Sequence, residues 1–440
     1  VGARVPDTTS TPESAVPSVH VRTLGCKVNR VDSEQVAAAL VGGGVRLVSE
    51  SEASVVIVNT CTVTGEADRK ARKAVRHALA SPARPVVVVT GCLAALDAEG
   101  IESLGDRIVV EPDREQVVAR VSALLGTVLP SIAAPVRSGE GFRIRAGVKV
   151  EDGCDAFCSY CIVPYARGMP RSVSMDSVVQ EVERLHSSGT AEVVLTGINI
   201  GRYDSGGVGL AGLVEAVAAT GIRRIRVSSV EPLDLTGELL DVFAGMPQLC
   251  PHLHVPLQSG SDSILRAMER GYTAGEYLER IATVRRRLPE AALTTDVMVG
   301  FPGESETDFE KTLALVREVG FTRLHVFRYS KREGTAAASM PSQVSPVESA
   351  RRGAKLRAED TRLRAAYAAS RRGVEAEVLV EEVATDGAGA LATGTTGDYL
   401  RVRLRAEEIA PGDLVRVRLG RVESGVLVSE PLGQGPGPRP

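Results

Sequence analysis

Three apolar, β-branched runs, Val19–Leu24, Ser54–Thr60 and Pro85–Thr90, each lead straight into a cysteine: Leu24-Gly25-Cys26, Asn59-Thr60-Cys61 and Thr90-Gly91-Cys92. Helix-patterned stretches at Asp32–Leu40 and Ala67–Leu79 separate the runs, and the cysteines stand 35 and 31 residues apart. Each gap matches one βαβ unit of roughly 30 residues. Apolar runs alternating with amphipathic helices specify a parallel α/β sheet. In an open sheet of that kind the strands' carboxyl ends all lie on one side, where ligands bind. Cys26, Cys61 and Cys92 are therefore expected on one rim. A free cysteine on its own is an ordinary small buried hydrophobe. Three of three strands ending alike point instead to a three-thiolate metal site.

The 440 residues leave room for about two to four domains. Residues 1–17 read as a disordered leader and 433–440 as a disordered tail, with units at 18–133, 142–373 and 374–432. Pro130–Gly141 reads as a linker. No run of about 18 apolar residues is present, so no membrane span is expected. The leader lacks the apolar core of a signal peptide. The seven cysteines are accordingly expected to be reduced, in the cytoplasm, and suited to metal or catalysis rather than disulfides. A net charge of −3 and few aromatics exclude a globally basic nucleic-acid binder or a generic stacking platform for single strands.

The most specific motif is Cys154-Asp-Ala-Phe-Cys158-Ser-Tyr-Cys161. Thiolates at this spacing can wrap one corner of an iron–sulfur cube, a cluster that usually takes four cysteines. No fourth cysteine is near, which leaves one iron open, as a catalytic metal requires. Structural zinc would want four closed ligands, and no Cys or His follows at finger spacing. Around the motif, apolar runs at Phe142–Val150, Ala191–Leu195, Ile222–Val227, His252–Leu257, Leu293–Val299 and Arg323–Phe327 alternate with helix patterns. The helices are Ser174–His186, Leu210–Ala219, Tyr277–Leu288 and Thr307–Val319, the last opened by a capping box Thr307-x-x-Glu310. Six βα units imply a partial barrel with its chemistry at the strands' carboxyl ends. Thr196–Asn199, Ser228–Pro232, His254–Ser261, Val299–Glu304 and Arg328–Ser330 fall at those ends. Singly each could be a turn; together on one rim they read as a pocket. The Gly300–Glu304 loop also suits a simple sheet-to-helix turn. Val374–Leu432 carries short strands between Gly, Asp and Thr clusters and reads as a small antiparallel β-barrel. The fold class is thus α/β, an open parallel sheet followed by a partial (β/α)6 barrel and a small β-barrel.

The cysteine triplet, with Tyr160 before its third member, resembles the signature of the radical S-adenosylmethionine (SAM) enzymes. That resemblance implies a 4Fe–4S cluster on Cys154, Cys158 and Cys161, with SAM chelating the fourth iron. It further implies contacts to the SAM amino group from Thr196, Gly197 and Asn199, and to ribose or methionine from Ser229 and Glu231. Val299 and Gly300 would lie near the adenine, and Tyr160 and Gln258 complete the implied cofactor-binding set. Two three-cysteine sites in tandem before a small β domain resemble the methylthiotransferases over nearly the whole chain. In that family the N-terminal trio (here Cys26, Cys61 and Cys92) holds an auxiliary 4Fe–4S cluster, and the C-terminal piece is a substrate-engaging TRAM domain. Gly25-Cys26-Lys27-Val28-Asn29, Asn59-Thr60-Cys61-Thr62-Val63 and Tyr329-Ser330-Lys331-Arg332-Glu333-Gly334-Thr335 resemble one branch in particular. That branch adds a methylthio group to C2 of N6-threonylcarbamoyladenosine at position 37 of tRNA. The resemblance implies two SAM, one as methyl donor to sulfur and one cleaved reductively, because proton transfer cannot remove an unactivated C2 hydrogen. It implies as partners the tRNA anticodon stem-loop and a flavodoxin- or ferredoxin-type reductant, and a monomeric chain.

Charge adds a complication. Arg401, Arg403 and Arg405 alternate along one strand, with Arg416 and Arg418 on another, and could face phosphates or simply solvent. Yet residues 374–432 hold 6 basic and 11 acidic side chains, an acidic module that would suit a basic protein substrate. Residues 347–373, with 8 basic and 3 acidic, offer RNA contacts beside the barrel, as do Lys70, Arg72, Lys73 and Arg76 beside Cys61. The alternatives are therefore isopentenyladenosine tRNA, a ribosomal-protein aspartate, or a noncatalytic metal-containing RNA-binding protein. Cys250 reads as a packing residue, and His254 as a pocket or strand-end residue rather than a ligand.

Overall fold

A computed structural model describes residues 17–127, 144–386, 389–405, 409–423 and 425–432. The expected linker and tail, and all of the leader but Pro17, lie outside these residues. The first unit is a parallel sheet of β1 (Ser18–Thr23), β2 (Arg46–Leu47), β3 (Val55–Thr60), β4 (Val86–Gly91) and β5 (Ile108–Val110), in the order β2-β1-β3-β4-β5. The central strand β3 is buried throughout, the signature of a strand covered on both faces. Short β2 and β5 close the edges and carry too few residues to announce themselves in sequence. Helix Lys27–Gly42 begins five residues before the pattern at Asp32 suggested. Its first turns bury Asn29, Asp32 and Ser33, whose polarity masked the apolar period.

The second unit has six parallel strands: β6 (Arg145–Lys149), β7 (Glu192–Thr196), β8 (Arg224–Val227), β9 (His252–His254), β10 (Ala292–Val299) and β11 (Arg323–Arg328). β6-β7-β8 and β9-β10-β11 form two sheets, joined by parallel bridges Ile225–Leu249 and Ser229–His254. Among the described residues β6 and β11 do not pair, so the arc is a partial barrel, as expected. The first unit reaches both edges of the gap. Val31 on helix Lys27–Gly42 sits where a side chain at Gly147 of β6 would stand, and beyond β11 the Ser330 hydroxyl accepts from Gly65 N at 3.0 Å. Arg332 reaches Asp68 at 2.7 Å beside it.

Helix Gly237–Gly245 was not expected from the pattern. The capping box of helix Glu306–Val319 is Ser305 with Asp308, two residues before the predicted Thr307 and Glu310. Both pairs satisfy the motif; the chain uses the first, whose Asp308 also accepts from the Ser261 hydroxyl at 2.6 Å.

The third unit is a closed barrel of β12 (Glu375–Asp386), β13 (Gly389–Thr396), β14 (Arg401–Arg405), β15 (Leu414–Glu423) and β16 (Val426–Pro431). It is not wholly antiparallel as expected: β14 and β16 run parallel. The barrel closes through strands that are not sequence neighbours, and hairpin reasoning does not foresee such a pair. Its Thr396–Leu400 turn seals the amino-terminal mouth of the partial barrel. Tyr399 lies 3.7 Å from the Arg226 guanidinium and 4.6 Å from the His252 ring, and Arg226 Nη1 donates to Gly397 O at 2.6 Å. Glu192, fully buried, pairs with Arg224 and Arg226 at 2.9 and 3.0 Å. The opposite, carboxyl-terminal mouth carries the cysteines.

Candidate active site

The Cys154 loop leaves β6 through Glu151-Asp152-Gly153. Gly153 has φ +87°, and a Cβ there would meet Met169 O at 2.2 Å, so only glycine lets the loop pass. Cys154 N donates to Gly168 O at 3.0 Å and Cys161 N to Cys158 O at 2.8 Å. Ser159 pins the loop to the barrel: its hydroxyl donates to Ala267 O at 2.7 Å, and its carbonyl accepts from Ala337 N at 2.7 Å. The three thiols are free and lie within electrostatic range of one another. Burial, then the neighbouring sulfurs, push Cys161 up to about 12. Such thiols stay protonated until a metal displaces the proton. Arg270 Nη1 donates to Cys158 Sγ at 3.3 Å, and Arg270 Nη2 pairs with Glu231. A sulfur trio bearing a cationic donor fits an anionic iron–sulfur cluster.

Several residues expected in the pocket stand around this loop. The Glu151 carboxylate, fully buried, accepts from Ile198 N and Asn199 N at 2.9 and 2.8 Å and orders the Thr196–Asn199 turn. A Cβ on Gly197 would meet that carboxylate at 2.9 Å. Burial pushes the Glu151 carboxyl up to about 7. Asn199 Oδ1, Ser228 Oγ and Glu151 Oε1 are buried without hydrogen-bond partners, which is how a polar ligand site looks without its ligand. Tyr160 packs edge-on against Phe301 at 6.5 Å. Ser229 bridges to His254, and Gln258, at φ +63°, is held through its backbone by Asp296 O and Met298 N, both at 2.9 Å. Val299 and Gly300 are engaged within the protein: Val299 O accepts from Tyr329 N and Gly300 N donates to Glu304 at 2.6 Å. The Gly300 loop therefore serves the sheet-to-helix turn, locked by helix Pro346–Ser370, whose Arg352 pairs with Glu304 at 2.7 Å.

Cys26, Cys61 and Cys92 do meet on one rim. A Cβ on Gly25 would lie 2.3 Å from Cys61 Cβ, and the charges of Cys92 and Cys26 both act on Cys61, whose thiol burial pushes up to about 11. Asn29 stitches the loops, donating to Leu24 O at 3.0 Å and Thr60 O at 2.8 Å. Arg114 Nη2 lies 3.4 Å from Cys92 Sγ, a cationic donor placed like Arg270 on the other trio. The two trios are joined by Arg167, whose side chain is only 1% exposed. It donates to Asn29 Oδ1, to Asp32 at 3.1 Å and to Asp152 at 2.7 Å. Lys149 adds a 2.6 Å contact to Asp32.

Sequence reasoning missed Glu151, Asp152, Arg167 and Arg270. An acidic pair immediately before Gly153-Cys154 was the available signal for the first two; the arginines, far along the chain, gave none. Cys250 is buried away from both trios, as expected. The basic patches fare less well as RNA surfaces. Along helix Pro346–Ser370, Arg351, Arg352, Lys355, Arg362 and Arg364 pair with acids, as does Arg371 at its end. Arg72 pairs with Asp97 and Lys70 with Glu66. Arg401, Arg403 and Arg405 do share an exposed face, but Arg416 and Arg418 both contact Glu375 at 3.1 Å.

A partial parallel barrel carrying this cysteine loop defines a radical SAM enzyme. Residues 148–316 match the Radical SAM superfamily and residues 18–110 match Uncharacterized protein family UPF0004. A relative from Chlamydia pneumoniae, named threonylcarbamoyladenosine tRNA methylthiotransferase MtaB, is 38% identical over 92% of this chain and 96% of its own. One from Syntrophobacter fumaroxidans, named tRNA-2-methylthio-N(6)-dimethylallyladenosine synthase, is 36% identical over 94% of this chain and 96% of its own. Among solved structures, the radical S-adenosylmethionine methyltransferase TsrM from Kitasatospora setae shares the fold at a TM-score of 0.54 and 15% identity, over 73% of this chain and 77% of that one. The chain belongs to the radical SAM methylthiotransferase family, whose superfamily chemistry rests on SAM and a 4Fe–4S cluster. No helix among the described residues is long and apolar enough to cross a membrane.

Proposed function

We propose that this chain adds a methylthio group to C2 of N6-threonylcarbamoyladenosine at position 37 of tRNA. In this reading it acts as a cytoplasmic monomer on the anticodon stem-loop, with electrons from a flavodoxin- or ferredoxin-type protein. The observation that carries the reading is the pair of cysteine trios at one barrel mouth, bridged through Arg167. When bound, a 4Fe–4S cluster on each trio and two SAM would supply the one-electron chemistry and the methylated sulfur. Cys154, Cys158 and Cys161 would hold one cluster, with SAM bound beside it; Cys26, Cys61 and Cys92 would hold the other. Glu151 orders the Thr196–Asn199 turn, leaving Asn199 Oδ1 and Ser228 Oγ to bind cofactor. Arg270 positions Glu231 and covers Cys158. The first unit packs on both edges of the barrel gap.

The threonylcarbamoyl branch is favoured by the Gly25–Asn29, Asn59–Val63 and Tyr329–Thr335 segments. Two of these touch, since Arg332 Nη2 of the third donates to Thr62 Oγ1 of the second at 2.5 Å. The isopentenyladenosine reading also has support, from the relative named for that reaction at nearly equal identity. Nucleoside mass spectrometry of tRNA from a deletion strain separates them. Loss of 2-methylthio-N6-threonylcarbamoyladenosine with the isopentenyl derivative intact is expected; the reverse pattern refutes the assignment. A target on a ribosomal protein would leave both nucleosides unchanged.

A further inference from the structure

Inside the partial barrel, below the cysteine mouth, three side chains converge from three adjacent strands. His254 Nε2 on β9 and His325 Nδ1 on β11 lie 3.2 and 3.3 Å from the same oxygen, Asp296 Oδ1 on β10. Their ligand atoms all fall within 4.8 Å of one another. The placement follows from strand alternation. Leu253, Val255, Leu293, Val297 and Leu324 face the core under the helices, so His254, Asp296 and His325 face the lumen. We infer that His254, Asp296 and His325 form a site for one divalent first-row transition ion. This assignment goes beyond the methylthiotransferase reading and does not depend on it.

Three observations favour an ion over a plain hydrogen-bonded cluster. First, the two imidazole–carboxylate contacts are longer than the roughly 2.7–2.9 Å of charge-assisted hydrogen bonds. Ligands about 2.0–2.1 Å from a shared ion, at tetrahedral or octahedral angles, stand about 2.9–3.4 Å apart, which brackets both nitrogen–oxygen separations, while the two nitrogens lie within 4.8 Å of each other. Second, the far nitrogen of His254, Nδ1, is 2.9 Å from Thr294 Oγ1. Donation of Nδ1–H to that hydroxyl, which also lies 2.9 Å from His252 Nε2, would leave the Nε2 lone pair free to ligate, as an outer-shell partner of a ligating histidine does. Third, the side chains are 12%, 25% and 40% exposed, so they are desolvated enough to hold an ion yet open to the lumen. Two imidazoles and one carboxylate select zinc, manganese, iron(II) or cobalt over magnesium or calcium, which prefer all-oxygen shells. Three protein ligands leave coordination positions open toward the lumen, for water or an oxygen donor of a bound molecule.

The test uses the full chain with both cysteine trios already loaded with iron and sulfide under anaerobic conditions, so that thiols do not compete. Zinc is titrated in, bound zinc is counted, and X-ray absorption is recorded at the zinc edge. One zinc per chain is expected, with a nitrogen/oxygen shell at about 2.0–2.1 Å and no sulfur at about 2.3 Å. Asp296→Asn and His325→Ala should weaken binding at least about 100-fold, and Thr294→Val about 10-fold. Cys250→Ser should leave it unchanged. His325 is the most exposed of the three, so its truncation keeps the test valid should Asp296→Asn fail to fold. No stoichiometric zinc, a sulfur shell, or equal affinity in His325→Ala would overturn the assignment and leave a proton-sharing polar cluster.

Discussion

The two cysteine trios solve one problem in opposite ways. Cys154, Cys158 and Cys161 sit on a single eight-residue loop, and the fold's task is only to pin that loop, through Gly153 and Ser159. Cys26, Cys61 and Cys92 come from three strand ends, and it is the parallel register of β1, β3 and β4 that brings them together. The first site is local and would tolerate much change elsewhere in the barrel. The second is only as good as the sheet beneath it and the asparagine and glycine contacts between its loops. Each trio carries one arginine on a sulfur, Arg270 or Arg114, so the electrostatics match although the construction differs.

The largest test of this contrast removes what joins the trios. Arg167→Met removes the guanidinium shared by the buried Asp32 and Asp152 and leaves them Lys149 as a partner, so the cost should stay at or below about 3 kcal/mol. Where the protein still folds, SAM cleavage should persist while methylthio transfer falls, because the local trio survives the lost register between units. Comparable loss of both would show the trios are not separable.

Glu151 gives the next effect. Its folded-state carboxyl titrates near 7 against an ordinary 4.5, so the folded state holds its proton longer than the unfolded one. The stabilisation from that proton is complete below about pH 4.5 and disappears as pH rises through 7, a total of about 3 kcal/mol. Glu151→Gln cannot ionise, so its melting temperature relative to wild type should rise from pH 5 to pH 8. A pH-independent difference contradicts the buried, protonatable carboxyl.

Gly25→Ala should act on the assembled trio alone. A methyl group at φ +99°, 2.3 Å from Cys61 Cβ, forces the loops apart at a cost of about 1–3 kcal/mol. Iron at the Cys154 loop should be unaffected, as read by SAM cleavage. Smallest of all, Arg416→Ala on the outer face of the third unit breaks an exposed pair with Glu375 and should change stability by less than about 1 kcal/mol.

These differences explain what could be read in advance. The local trio is a spacing motif and needs no fold to be seen. The distributed trio was legible because each cysteine follows an apolar β-branched run, so that strand ends and ligands coincide. The partial barrel was legible because its strands and helices keep distinct periods. Buried charge was not: Arg167 and Arg270 gain meaning only from Asp152, Asn29, Glu231 and Cys158, which lie 15 to 138 residues away. Nor was the docking of the third unit, because Tyr399 meets Arg226 and His252 through tertiary packing alone. The helix Pro346–Ser370 looked like a free basic surface, since Glu304, Glu306 and Glu310, which pair with Arg351, Arg352 and Lys355, belong to another segment, although Arg362 and Arg364 pair with Glu359 and Asp360 of the helix itself. His254, read as a strand-end residue, took on a different character once β10 and β11 placed Asp296 and His325 beside it.

The account rests on two clusters held by two differently built trios, and counting iron in anaerobically reconstituted protein tests this most directly. Wild type should hold about eight irons, and Cys61→Ala and Cys158→Ala about four each, with SAM cleavage kept by the first and lost by the second. About four irons in the wild type, or a Cys61→Ala protein that loses no iron, would contradict it.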